Sequence, residues 1–167
     1  HPEVIGTFGQ VPDGAMTLVE TLEDVARLDF PEEAALSYLT QTTLSVDDTA
    51  EIIRAIHERF PQVVAPKAED ICYATSNRQS AVKRIAQESQ LVLVIGSPKS
   101  SNSMRLVEVA VRNGACGQLI ERATDINPAW LTGVEAVGLP AGASAPEELV
   151  REVNARLAEL RDIRQEE

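Results

Sequence analysis

The chain has 167 residues and sets 15 Lys+Arg against 26 Asp+Glu, a formal net charge of −11; such a surface repels phosphate backbones and excludes broad nucleic-acid binding. Hydrophobic residues make up 44%, which excludes intrinsic disorder, and the longest apolar run, Leu91–Ile95, falls far short of the ~20 residues of a membrane-spanning helix. Two cysteines exclude a disulfide scaffold, and 4% aromatic content leaves an aliphatic core of Val, Leu, Ile and Ala.

The chain opens on His1, not Met, and the run HPEV has no basic or apolar leader, so no signal peptide is visible. The expectation is a piece of a longer protein. After the Pro12-Asp13-Gly14 turn, residues 15–19 read as a short strand. Thr21 followed by Asp24 has the pattern of a capping box and starts a short helix to about Leu28. Residues 35–40 read as a second strand, ending in Gln41-Thr42-Thr43. Ser45 and Asp48 then repeat the cap pattern, and Ile53, Ile56 and Phe60 keep helical spacing until Pro61 stops the helix. Residues 63–70 form an irregular connection with Pro66, which places a partial α/β domain at 1–66 and a second α/β domain at 67–167.

The second half keeps a rhythm. A helix at 77–89 buries Ala81, Val82 and Ile85, and Leu91–Ile95 reads as a strand buried on both faces. Residues 96–103 read as a loop and 104–112 as a helix that ends before Gly114. A strand at 117–120, a short helix opened by Asn127-Pro128 and a strand at 135–139 follow. Ser144 and Pro146 open a final helix carrying Leu149, Val150, Val153 and Leu157. This alternation of strand and helix predicts an α/β fold with a parallel sheet and helices on both faces.

In such a sheet, ligands bind at the C-terminal strand ends, where loops feed helix N-termini. Three junctions there are rich in small hydroxyl and amide residues: Gln41-Thr42-Thr43-Leu44-Ser45, Ser100-Ser101-Asn102-Ser103 and Ala141-Gly142-Ala143-Ser144. Helix N-terminal N–H groups and hydroxyls suit a phosphate or diphosphate. Any single one of these residues is explained as well by ordinary N-capping. Three such loops at one sheet edge point to an anion site, although neither a P-loop nor a G-x-G-x-x-G is present.

Cys72 lies just before a helix start, where the helix N-terminus and Arg78 favour a thiolate; an inert core cysteine is the competing reading. Cys116 reads as a core residue, and His57 as a solvated surface residue. His1 and Glu3, if extended, project to one face, where a desolvated carboxyl group can act as a general acid.

The runs HPEVIGTFGQ (1–10), QTTLSVDDT (41–49), ICYATSNRQ (71–79), SSNSMRL (100–106) and AGASAPE (141–147) together resemble the 4-hydroxy-3-methylbut-2-enyl diphosphate reductase (IspH/LytB) family of the non-mevalonate isoprenoid pathway. The resemblance extends to about Leu160 and spans the later part of that family's second domain and its third domain. It implies a cytoplasmic iron-sulfur oxidoreductase with a 4Fe-4S cluster held by three cysteines, of which Cys72 matches the third. The diphosphate of the substrate is held by side chains matching His1, Ser100, Ser101, Asn102 and Ser144. Thr42 matches a residue at the hydroxyl end, and Glu3 matches the acid that delivers the proton with which water leaves. A ferredoxin- or flavodoxin-type donor supplies two electrons, and the products are isopentenyl and dimethylallyl diphosphate.

Departures from the family pattern accompany the matches. The other two cluster cysteines and two further pocket histidines stand before the position of His1, so this chain alone is expected to be inactive and not to retain the cluster. Pro98-Lys99 and Pro140 replace residues that are commonly Asn and Thr in relatives. Two other readings compete with the reductase: a non-redox module that binds a phosphosugar or diphosphate and leaves Cys72 in the core, and an interaction piece that lost the cluster.

Overall fold

The structure, a computed structural model, describes residues 1–66 and 71–165, with side chains to residue 161. Part of the connection expected at 63–70 therefore lies outside the described residues. The chain divides into two compact units, His1–Cys72 and Tyr73–Glu167. No helix among the described residues is long and apolar enough to cross a membrane.

The first unit carries helices α1 (Pro2–Phe8), α2 (Leu22–Arg27) and α3 (Val46–Arg59). The cap signals act as expected. Asp24 N donates to Thr21 Oγ1 at 3.1 Å while Asp24 Oδ2 accepts from Thr21 N at 2.9 Å, a reciprocal box that satisfies two otherwise free donors. Ser45 Oγ accepts from Asp48 N at 3.3 Å, and Phe60 closes α3 ahead of Pro61. Helix α2 packs on α3. The Arg59 guanidinium at the end of α3 donates to the carbonyl of Leu28, the C-cap of α2, at 2.6 and 3.2 Å. Val25, Phe60 and Val63 are buried in this unit, and Phe30 meets Phe60 edge-on at 5.9 Å.

Two expected strands of this unit are not ladder strands. Residues 15–19 adopt no strand, and 35–40 contribute one parallel bridge, Ser37 to Val64, with Val64 N donating to Leu36 O at 2.9 Å. Strand propensity becomes a strand only where a neighbouring segment supplies its hydrogen bonds. His57 is half-buried and faces the Tyr38 ring edge-on at 5.7 Å, so it is not the solvated residue expected.

The second unit runs α4 (Tyr73–Glu88), β1 (Leu91–Ile95), α5 (Ser101–Arg112), β2 (Cys116–Ile120), two 3-10 turns, β3 (Val137–Gly138) and α6 (Glu147–Gln165). Its sheet is parallel, in the order β2-β1-β3. Leu91 pairs with Cys116 and Ile95 with Ile120, and on the other side Leu91 pairs with Val137. All five residues of β1 are buried, as its unbroken apolar run predicts. Val92 and Val94 pack against Val82 and Ala86 of α4 and Leu106, Val109 and Ala110 of α5. Leu91, Leu93 and Ile95 pack on the opposite face against Ile126, Leu131, Val153 and Leu160. The period of two in β1 thus separates two helical layers, and each fully buried aliphatic side chain contributes ~1.5–3 kcal/mol.

Several boundaries differ from expectation. Helix α4 begins at Tyr73 and α5 at Ser101, each earlier than the apolar spacing implies; in α5 the Ser100 cap lets polar residues make the first turn. Val82 of α4 is buried, whereas Ala81 and Ile85 are half-buried. Gly114, with φ at +92°, ends the α5 segment as anticipated. β3 shortens to Val137–Gly138, followed by a single bridge between Ile95 and Ala141. Pro140 fits this edge because only its carbonyl is used, accepting from Ile95 N at 2.9 Å.

Candidate functional site

The candidate residues form one cluster in each unit. In the first, Pro2 occupies the first turn of α1 and the His1 side chain caps it, accepting from Glu3 N at 3.3 Å. His1 and Glu3 therefore meet at a helix start, not along the extended segment expected. Gln41 Nε2 also donates to His1 Nδ1, at 2.9 Å. Two N–H donors converge on this nitrogen, so it accepts, and the ring proton of the neutral imidazole sits on Nε2.

Glu3 is half-buried and its carboxylate reaches the loop that precedes α3. Oε1 accepts from Thr42 N at 3.1 Å, and Oε2 accepts a longer bond from Gln41 Nε2 at 3.5 Å. The carbonyl of Thr42 in turn accepts from Cys72 N at 3.2 Å. Glu3, Thr42 and Cys72 are thereby joined through consecutive hydrogen bonds on the Thr42 backbone. Gln41, named in the sequence only as part of a polar junction, emerges as the side chain that touches both His1 and Glu3.

Cys72 is a free, exposed thiol, so the core reading of this residue is overturned. Cys116 is exposed as well, contrary to expectation, because it opens the edge strand β2, which pairs on one side only. Arg78 donates to the Ala74 carbonyl of its own helix at 3.1 Å. Among the described residues no group of three or more His, Cys, Asp or Glu side chains is arranged to hold a metal ion. Cys72 offers one thiol sulfur, and the described residues do not by themselves make a binding set for an iron-sulfur cluster.

The second cluster lies at the N-terminus of α5. Ser100 is the N-cap and its Oγ accepts from Ser103 N at 3.3 Å. Ser101 is half-buried in the first turn beside it. Asn102 is only 7% exposed, and neither its Oδ1 nor its Nδ2 has a hydrogen-bond partner among the described residues. The Ser103 hydroxyl is fully buried and equally unpartnered. Leaving such a buried polar group unsatisfied costs ~1–3 kcal/mol, so two in one helical turn call for an explanation. A helix N-terminus, a cap hydroxyl and a carboxamide without a partner among the described residues together suit an anion.

Ser144 is exposed on the loop between β3 and α6. That loop is tied to the sheet by Gly142 N, which donates to Ile95 O at 2.8 Å, and it closes on itself through Ala145 N to Gly142 O at 3.1 Å. The Ser100–Asn102 loop follows β1 and the Ser144 loop follows β3, so both rise from the same ends of adjacent parallel strands.

Comparison with known proteins identifies the family. The profile of the LytB protein family matches residues 1–158. A 4-hydroxy-3-methylbut-2-enyl diphosphate reductase of Roseobacter denitrificans is 54% identical over 99% of this chain and 53% of its own length. The enzyme of that name from Cereibacter sphaeroides is 59% identical over 93% of this chain and 49% of its own length. Among solved structures, the E-1-hydroxy-2-methyl-but-2-enyl-4-diphosphate reductase of Plasmodium falciparum superposes with a TM-score of 0.89 at 36% identity, covering 93% of this chain and 48% of that one. The chain spans about half the length of the curated relatives it matches. On its matched residues and its α/β architecture, this chain belongs to the LytB protein family.

Proposed function

We propose that this chain is part of a 4-hydroxy-3-methylbut-2-enyl diphosphate reductase, an oxidoreductase of the non-mevalonate isoprenoid pathway. The reaction reduces the allylic alcohol with two electrons and two protons: the C–O bond breaks, the oxygen leaves as water, and the carbon skeleton takes up a proton to give isopentenyl or dimethylallyl diphosphate. A ferredoxin- or flavodoxin-type donor supplies the electrons, and the enzyme works in the cytoplasm.

The observation that carries this reading is the chain of hydrogen bonds from Glu3 through Thr42 to the Cys72 backbone N–H, because it ties the residue that carries the acid and the residue that carries the thiol to Thr42. Glu3 is the proton donor to the departing hydroxyl, and the Thr42 N–H orients its carboxyl group. Thr42 lines the hydroxyl end of the substrate. Ser100, Ser101, Asn102 and Ser144 bind the diphosphate, and His1 is assigned to it as well, with its Nε2–H as donor. Support for the anion assignment comes from the unpartnered Asn102 carboxamide at the N-terminus of α5. Cys72 is one of three thiolates for a 4Fe-4S cluster, and the other two belong to residues outside this chain.

The test is iron and acid-labile sulfide per chain, with a visible spectrum, on the complete reductase purified without oxygen, beside its Cys72→Ser variant. About four irons, lost in the variant, support the proposal. A colourless, iron-free protein indifferent to Cys72→Ser overturns it in favour of a non-redox diphosphate-binding module.

A further inference from the structure

We infer that Ser103 is a positioning residue of the diphosphate site: its hydroxyl is the spacer that sets the separation of the Ser100–Asn102 loop from the Ser144 loop. The inference rests on the reading of the α5 N-terminus as a diphosphate site, and it concerns what holds that site open to the right width.

The Ser103 side chain is wedged between two glycines. A Cβ placed on Gly96 would overlap Ser103 Oγ and lie 2.8 Å from Ser103 Cβ. A Cβ placed on Gly142 would lie 2.5 Å from Ser103 Oγ, yet 3.7 Å from Ser103 Cβ and 3.5 Å from the Ile95 carbonyl. Neither glycine has a positive φ, so the backbone does not demand glycine at either position; the space does. Both glycines are fastened to the sheet, Gly96 N donating to Ile120 O at 2.9 Å and Gly142 N to Ile95 O at 2.8 Å.

Gly96 begins the loop that delivers Ser100, and Gly142 stands two residues before Ser144. One buried oxygen atom therefore touches the roots of both loops. That oxygen makes no hydrogen bond among the described residues, and an alanine would avoid burying an unpaired hydroxyl. Packing at this density transmits the width of one atom to the loops above it. The size of serine, one atom longer than alanine, is what the notch uses.

The consequence is a specific pattern of rescue. Gly142→Ala puts a methyl group against the hydroxyl and spreads the loops, while Ser103→Ala removes the hydroxyl and leaves room for that methyl group. Gly96→Ala meets Ser103 Cβ as well as Oγ, so Ser103→Ala leaves it crowded.

Affinity for inorganic diphosphate and the thermal midpoint would be measured on the complete reductase carrying each change. Gly142→Ala is expected to weaken diphosphate binding about tenfold or more, and the double variant with Ser103→Ala to return to within about threefold of the parent. Gly96→Ala is expected to weaken binding without rescue. Ser103→Ala alone is expected to lose several-fold in affinity with its midpoint unchanged or raised, whereas a purely structural role would move the midpoint and spare the affinity. Additive effects of the Gly142 and Ser103 changes, or parental affinity in Ser103→Ala, overturn the spacer role while a loss in Ser100→Ala preserves the site. Parental diphosphate affinity in both Ser100→Ala and Asn102→Ala overturns the site and the inference together.

Discussion

Glu3 and Thr42, 39 residues apart in the chain, are joined by a hydrogen bond from the Thr42 backbone N–H to Glu3 Oε1 at 3.1 Å. A main-chain donor holds its direction without side-chain freedom, so the Glu3 carboxylate is oriented by the same loop that starts α3. The second carboxylate oxygen accepts the longer bond from Gln41 Nε2, at 3.5 Å.

Glu3→Gln tests the proposed acid role in the complete reductase. The carboxamide oxygen still accepts from Thr42 N, so the local fold is retained while the transferable proton is gone. Turnover is expected to fall by ~10²–10⁴, with substrate affinity and iron content close to parental. Steady-state kinetics beside an iron assay decides it, and parental turnover removes Glu3 from the acid role.

Ser100 caps α5 and is the anion ligand proposed above, and two substitutions separate these duties. Ser100→Ala loses both, with ~1 kcal/mol of stability gone with the cap and diphosphate binding weaker by a further ~1.5–3 kcal/mol. Ser100→Asp keeps a side-chain acceptor for Ser103 N and is expected to preserve the thermal midpoint. Its carboxylate repels diphosphate, so affinity is lost all the same. Calorimetric titration with diphosphate and a melting curve on each variant check the split.

Asn102 presents the opposite balance. Its carboxamide is buried and unpartnered among the described residues, so its removal relieves an unmet desolvation cost. Asn102→Ala is expected to leave the melting temperature unchanged or higher while weakening diphosphate binding about tenfold or more. A large fall in stability with affinity retained would make Asn102 a packing residue.

Acid sensitivity of the first unit is expected at α2. Hydrogen bonds from the Glu20 backbone N–H, then from the Thr21 side chain and backbone, with the Arg27 charge, hold the Asp24 carboxyl below its ordinary value of 3.8. A lowered folded-state value means that the charged form is the stabilised one. Its contribution is complete above the ordinary value and disappears as pH falls from there through the lowered one. Melting curves taken downward from about pH 5 would show this loss, and Asp24→Asn would flatten that segment of the profile.

The legible features of this fold are those decided over a few residues. The Thr21–Asp24 box, the Ser45 cap, the Asn127 cap and the break at Gly114 each depend on side chains within four positions of the backbone they serve. β1 is equally plain, since five consecutive apolar residues bury well at the centre of a sheet. The start of α5 is less legible, because Ser101, Asn102 and Ser103 look like loop residues until Ser100 caps them.

What the sequence determined by itself was therefore the α/β alternation, the caps and, through five dispersed runs, the family to which the candidate residues belong. Long-range contacts settle that residues 15–19 form no strand, that Cys116 opens an exposed sheet edge, and that Gln41 touches both His1 and Glu3. They alone seat the Ser103 hydroxyl against Gly96 and Gly142. The division has one physical reason. Capping and burial period are properties of neighbours in the chain, whereas strand pairing, a carboxylate meeting a distant peptide N–H, and the width of a notch depend on where the chain returns.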